Sequence, residues 1–186
     1  MKMNLDIKQC RSVRNYTKKD YIIMGFWRWG GLLIYRCIPE FFYGTRNGIL
    51  RLFGAKVGRN TRISRSVWVL MPHQLIIGDY VGIGERVRIY NNGFVKVCDR
   101  ATISQNSIIY AGSHDYSLTS LPLEKRPVII EKDSWVAGSA IIGPGSRIRS
   151  GSIIGFGSVF QGETEPNGIY IGNRAVLYKI REIHEK

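Results

Sequence analysis

The sequence predicts an all-β solenoid, a sheet coiled on itself, preceded by a short and partly helical segment. Two observations carry that prediction. From Val57 onward an aliphatic residue recurs every sixth position, and four residues after most of these stands a small or β-branched side chain. Period six matches neither the 3.6-residue turn of a helix nor a long alternating strand, but it suits a short strand and a turn repeated on each face of a coiling sheet. With 186 residues, 44% hydrophobic and 22% charged, the chain makes one ordinary domain with an appendage, and a disordered or collagen-like chain is excluded.

Residues 1–56 form the appendage. The chain carries 27 Lys and Arg against 14 Asp and Glu, a net charge of +13, and nine of the basic but only three of the acidic residues fall within 1–50. Such an excess favours anionic partners, among them phosphorylated ligands and an acidic membrane face. No nucleic-acid recognition motif accompanies the charge, so nucleic acid is not expected as a partner. Residues 21–43 are rich in apolar and aromatic side chains, including Trp27, Trp29, Phe41 and Phe42, yet Arg28 and Arg36 leave charge-free runs of only seven residues. That is too short for a spanning helix, and Arg28 splits the apolar region of any signal peptide. The stretch suits either an interfacial segment beside anionic lipid or a helix packed on the protein or on a neighbouring subunit. Gly25, Gly30, Gly31 and Pro39 argue against a long helix that is stable alone.

The coil covers 57–172. Its periodic residues are Val57, Ile63 and Val69, then Ile77, Ile83 and Ile89, then Val97, Ile103 and Ile109, and after a gap Ile130, Val136, Ile142, Ile148, Ile154 and Phe160. Each should face one interior and stack on its counterpart a rung away, roughly 4.8 Å distant. The spacing lengthens from six to eight at 69–77 and at 89–97, which on three faces per coil falls at the same corner each turn. Between Ile109 and Ile130 it lengthens to 21, so a loop over about 112–127 leaves the coil, and such loops on a rigid scaffold tend to carry function. Residues 173–186 form a tail. This tail and residues 1–50 are available to cover the two open ends of the solenoid.

Three cysteines, Cys10, Cys37 and Cys98, lie far apart without a paired motif or a histidine cluster, which fits a reducing compartment and offers no zinc site. Among the three histidines, His184 lies in the charged tail and His73 in an early rung, where Met71-Pro72-His73 reads as a turn. His114 stands at the mouth of the out-of-period loop, in Gly112-Ser113-His114-Asp115-Tyr116. Imidazole is the one side chain whose ordinary pKa suits a general base at neutral pH.

The hexapeptide period resembles that of the left-handed parallel β-helix acyltransferases; general crossover rules alone would favour a right-handed coil. The runs Ile103-Ser104-Gln105, Gly112 to Tyr116 and Trp135-Val136-Ala137-Gly138, with the approach Leu52-Phe53-Gly54-Ala55-Lys56-Val57-Gly58, sharpen this toward the colanic acid type and the maltose, galactoside and nodulation sugar O-acetyltransferases. The resemblance implies an acetyl-CoA-dependent transfer to a sugar hydroxyl in surface polysaccharide synthesis, direct and without an acyl-enzyme. In it His114 is the general base, Asp115 orients the ring, contacts the acceptor or merely caps the loop, and the backbone N–H of Gly138 receives the oxyanion. Acceptor contacts fall to Asn91, Asn92 and Tyr116, although Asn-Asn-Gly is also plain turn chemistry. Acetyl-CoA would lie along Trp135, Gly138, Ser139, Gly155 and Gly157. Gln161 replaces a lysine common among such enzymes, and Gly172-Asn173-Arg174-Ala175 replaces Gly-Asn-Pro-Ala. The nucleotide end of coenzyme A would then rest on Arg174, Lys179 or Arg181. A homotrimer with active sites between subunits, no metal, and a cytoplasmic location, with residues 1–50 touching the inner membrane face as one option, complete what the family implies. The rival reading is a non-catalytic β-helix serving as a scaffold or a membrane-surface binding module. Three zinc histidines of a carbonic anhydrase are not available on the coil, and 56 residues cannot supply the large helical domain of the serine enzymes.

Overall fold

The computed structural model describes residues 15–180, and Cys10, Arg181 and His184 lie outside them. Among the described residues sixteen short strands wind into a solenoid with three parallel faces. The first face stacks β1 (Lys56–Val57), β4 (Leu75–Ile77), β7 (Val95–Val97), β12 (Val128–Ile130) and β15 (Arg147–Ile148). The second stacks β2 (Arg62–Ile63), β5 (Gly82–Ile83), β8 (Thr102–Ile103), β13 (Trp135–Val136), β16 (Ile153–Ile154) and β18 (Gly168–Ile171), and β19 (Val176–Ile180) folds back antiparallel on β18. The third stacks β3 (Trp68–Val69), β6 (Arg88–Tyr90), β9 (Ile108–Tyr110), β14 (Ile141–Ile142) and β17 (Val159–Phe160). The coil is left-handed, as the hexapeptide resemblance implied.

The six-residue period becomes three interior columns. Val57, Ile77, Val97, Ile130 and Ile148 are in register on the first face, Ile63, Ile83, Ile103, Val136 and Ile154 on the second, and Val69, Ile89, Ile109, Ile142 and Phe160 on the third. All of them are buried. The small residues four positions later fill the inner corners and are buried too, from Thr61 and Val67 to Ser152 and Ser158. Their hydroxyls are satisfied, as where Ser107 Oγ donates to Ala137 O at 2.9 Å and Ser152 Oγ to Glu165 O at 2.7 Å, so a polar atom enters the core without being stranded.

A solenoid has two unlike ends. Each rung donates its N–H groups to the next, as Arg62 N does to Val81 O, so the carbonyls of the first rung face away from the coil and need donors. The N-terminal helices supply them. α1 (Lys18–Phe26) starts on Thr17, whose capping box with Asp20 satisfies both ends of the first turn. It passes through a wide π turn, Trp27–Gly31, into α2 (Leu32–Cys37), and α3 (Tyr43–Leu52) follows. Trp27 Nε1 donates to Val69 O at 2.8 Å, Tyr35 Oη to Ser64 O at 3.1 Å, and Asn47 Nδ2 to Thr61 O at 2.7 Å. Arg46 Nη2 donates to Ile63 O at 2.9 Å and Arg51 to Val57 O at 2.9–3.0 Å.

The helical segment is not a lone helix, since Trp27 and Tyr35 bond it to the coil. The backbone stays helical from Lys18 to Cys37, and the π turn absorbs the extra residue. Gly31 is required by packing, since a Cβ there would sit 2.6 Å from the Phe53 ring. Trp27 packs edge-on against Tyr35 and Phe53, with ring centres at 6.0 and 5.2 Å. No helix among the described residues is long and apolar enough to cross a membrane.

Candidate active site

Every departure from period six falls at the corner where the third face turns into the first. A 3-10 turn, Pro72–Gln74, occupies it in the first coil, Asn91-Asn92-Gly93 in the second, and in the third the hairpin of β10 (Gly112–His114) and β11 (Leu123–Lys125). The hairpin is antiparallel, with His114 opposite Leu123. His73, in the first of these turns, is committed to the fold: its Nε2 lies 2.8 Å from Asp20 Oδ1, tying α1 to the coil.

His114 is exposed, and its Nδ1 lies 2.6 Å from Leu121 O. A carbonyl only accepts, so Nδ1 carries the proton and Nε2 keeps its lone pair toward solvent. The ring is thus a base with a fixed tautomer and an open nitrogen. Asp115 does not orient that ring. Its Oδ1 accepts from Ser117 Oγ at 2.6 Å and Ser117 N at 2.9 Å. Those two bonds, the hydroxyl first, hold its carboxyl below the ordinary aspartate value. It caps the loop.

The asparagines divide. Asn91 is fully buried, accepting from Met71 N at 3.0 Å and donating to Met71 O at 2.5 Å. Each half of its amide bonds Met71 in the rung below, so Asn91 takes the turn role open to this Asn-Asn-Gly corner. Asn92 is half-buried and lies over Gly112, where a Cβ would meet its own Cβ at 2.9 Å. It stands one rung from the strand that carries His114. Tyr116 is exposed on the loop.

The remaining residues gather at the corner between the second and third faces. Ser139 N donates to Gln105 O at 2.9 Å and Gly157 N to Gly138 O at 3.0 Å, stacking Gln105, Gly138 and Phe156-Gly157 rung on rung. The N–H of Gly138 itself has no acceptor among the described residues. Ser139 and Gly157 hold φ of 58° and 64° at this corner. Trp135 is half-exposed on the second face with its Nε1 donating to Ser104 Oγ at 2.8 Å. Gly155 is pinned by packing, since a Cβ there would lie 2.8 Å from Ile171 Cγ2. Arg174 is exposed in the β18–β19 turn and Lys179 on β19 opposite Ile169, and Gln161 donates to Pro144 O at 3.1 Å.

One chain therefore gathers the candidate residues at two different corners: His114 with Asn92 at one, and the open amide of Gly138 beside half-exposed Trp135 at the other. No group of three potential metal ligands occurs among the described residues. A third feature escaped sequence reasoning, a groove lined by Arg36, Arg65, Arg86, Arg88, Trp68 and Tyr90. Its signal was present in the twenty-residue coil, which brings Ser66, Arg86 and Asn106, and Trp68, Arg88 and Ile108, to matching positions.

No family profile matches the chain. It is 33% identical over 148 residues, 80% of this chain and 81% of the other, to an Escherichia coli protein provisionally named colanic acid biosynthesis acetyltransferase WcaF. It is 25% identical over 152 residues, 76% of this chain and 70% of the other, to the galactoside O-acetyltransferase of Escherichia coli. Among solved structures, a hexapeptide-repeat acetyltransferase of Vibrio cholerae in complex with acetyl-CoA superposes with a TM-score of 0.82 at 16% identity, covering 91% of this chain and 93% of that one.

Proposed function

The chain belongs to the family of hexapeptide-repeat acetyltransferases of the colanic acid type, and from that premise we propose that it transfers acetyl from acetyl-CoA to a sugar hydroxyl of a surface polysaccharide or its precursor. The observation that carries the proposal is His114, exposed on the out-of-period hairpin with Nδ1 held by Leu121 O and Nε2 open. In the reaction Nε2 takes the proton of the acceptor hydroxyl as its oxygen attacks the thioester carbonyl. The oxyanion of the tetrahedral intermediate receives the N–H of Gly138, and collapse expels the coenzyme A thiolate, which regains a proton from the imidazolium. The acetyl group passes directly between substrates.

Since the two groups of residues lie at different corners, we place them together across an interface, His114 of one subunit facing Gly138 of its neighbour, in a cytoplasmic homotrimer. Acetyl-CoA would run along Trp135, Ser139, Gly155 and Gly157, its nucleotide toward Arg174 and Lys179, whose charge suits phosphates. The related proteins support this reading: one is named a galactoside O-acetyltransferase and another holds acetyl-CoA. The exposed Phe26, Trp29, Leu33 and Phe41 beside Arg28 and Arg36 suit contact of the N-terminal helices with an anionic membrane face.

The test is transfer of labelled acetyl from acetyl-CoA to a panel of nucleotide sugars and oligosaccharides, with the product assayed as a base-labile ester. Ester formation on a sugar is expected. A protein that neither binds acetyl-CoA nor labels any acceptor would instead be the scaffold or membrane module. Sedimentation with anionic vesicles reads the membrane contact, which the proposal expects to weaken in Trp29→Ala.

A further inference from the structure

The groove on the third face has a volume of about 850 Å³ and is lined by Arg36, Arg65, Arg86 and Arg88 together with Trp68, Tyr90 and Asn106. No carboxylate is among its lining residues. Five arginines of the other faces and corners are paired, Arg59 with Asp79, Arg100 with Asp133, Arg126 with Glu124, Arg147 with Glu131, and Arg149 with Glu163, and Arg62 of the second face lies over the Tyr43 ring. None of the four groove arginines makes an ion pair among the described residues. Arg86 has φ of 56°, a region where Asn or Gly is easier, and its Nε donates to Asn106 Oδ1 at 2.8 Å. That bond fixes the guanidinium while leaving its outer fork open. Beside it Trp68, Tyr90 and Tyr110 form a ladder with ring centres 4.7 and 5.0 Å apart, the first pair tilted by 46° and the second stacked, an apolar aromatic flank against which a sugar can pack.

Four cations converging without an anion repel one another, and planar guanidinium forks match phosphate geometry. Position specifies the ligand further. Ser139 N bonds Gln105 O, so the groove's Asn106 lies one rung below Gly138, and Arg86 and Arg65 lie at the next two turns of the same corner. Rungs are roughly 4.8 Å apart, so the guanidiniums begin about one sugar's length from the amide assigned to the oxyanion. They extend toward the N-terminal end, away from Gly155 and Gly157, where acetyl-CoA would lie.

We propose that this groove binds the diphosphate of a glycosyl diphosphate acceptor, whose sugar packs against the Trp68–Tyr90 pair with its hydroxyl directed to the acetyl group. The proposal rests on the acetyltransferase reading for its orientation, while the anion site itself stands on the groove. The diphosphate can belong to a nucleotide sugar or to a lipid-linked sugar.

The test uses the full chain and the variants Arg86→Ala and Arg88→Ala, both at exposed positions where folding should be retained, with circular dichroism as the check. Binding of inorganic pyrophosphate, of UDP-glucose, of an isoprenyl-diphosphate-linked glucose and of free glucose is measured by calorimetry, and the KM for acetyl-CoA by thiol release. Pyrophosphate should bind the wild type and lose at least about tenfold in each variant, the scale of a charge-assisted contact, with the acetyl-CoA KM unchanged. Tighter binding of one glycosyl diphosphate then identifies the source. Equal binding by variants and wild type, or no binding of any diphosphate, overturns the proposal. So does a rise in acetyl-CoA KM, which would make the groove the coenzyme's nucleotide site. If pyrophosphate binds as expected but no acetyl-CoA is bound or cleaved, the transferase reading fails and the anion site remains.

Discussion

The closed end of the coil and its third face both carry arginines, and they use them oppositely. At the closed end Arg46 is almost fully buried and its guanidinium donates to the carbonyls of Pro39, Glu40 and Ile63, while Arg51 covers Val57 O and Gly58 O. On the third face Arg65, Arg86 and Arg88 stand at a groove with no ion pair. The histidines divide the same way: His73 Nε2 is tied to Asp20, whereas His114 Nε2 is open. The difference teaches that residue type alone does not mark function here. A polar group buried and bonded to the fold's own acceptors serves the fold, even where Arg46 Nε and His73 Nδ1 stay without a partner, and one left open at the surface of a rigid rung is available to a ligand.

The largest effect should come from the closed end. Arg46→Ala would strand the first-rung carbonyl of Ile63 together with those of the turn after α2, and should destabilise by roughly 3 kcal/mol or more, read as a lower denaturation midpoint. An Arg46→Ala protein as stable as wild type would break the contrast between the two arginine sets. Trp27→Phe keeps the ring against Tyr35 and Phe53 but loses the indole bond to Val69 O, and should cost about 1 kcal/mol in the same measurement.

A smaller effect concerns pH. Burial alone would raise the Asp20 carboxyl, but hydrogen bonds from Thr17 and His73 outweigh it and hold it below the ordinary value. Because the folded value is lowered, the stability it contributes is complete above the unfolded value of about 4 and is lost as pH falls through the folded one. Tryptophan fluorescence should therefore report loosening of α1 as the pH drops below about 4, and Asp20→Asn should flatten that dependence.

Much of the coil was legible because period six has one solution that buries every sixth side chain, and Val57 through Phe160 occupy the columns it implies. The recognition of the family from Gly112 to Tyr116 and Trp135 to Gly138 was legible for the same reason, as these runs sit on fixed rungs. The closed end was not. Which of Trp27, Tyr35, Arg46, Asn47 and Arg51 would turn inward depends on the rung carbonyls pointing toward the N-terminus, a polarity no periodicity reveals. Part of the basic excess that suggested anionic partners is this donor set. The sequence left Asn91 and Asn92 open between turn and ligand contact because Asn-Asn-Gly at a corner fits both, and only register against Met71 shows which of them bonds the ladder. The groove stayed hidden because Ser66, Arg86 and Asn106 become neighbours only once twenty residues make a full turn.

The central claim is that polar groups left open at the surface, and not those committed to the fold, carry the activity, and one paired measurement tests it. Thiol release from acetyl-CoA in the presence of an accepted sugar, together with the melting temperature, is compared for His114→Ala and His73→Gln. The account predicts that His114→Ala loses at least about a hundredfold in kcat, the scale of a missing general base, with its melting temperature unchanged. His73→Gln should keep kcat within a few fold while melting lower, because it releases α1 from the coil. A His114→Ala enzyme that turns over within a few fold of wild type would contradict the account.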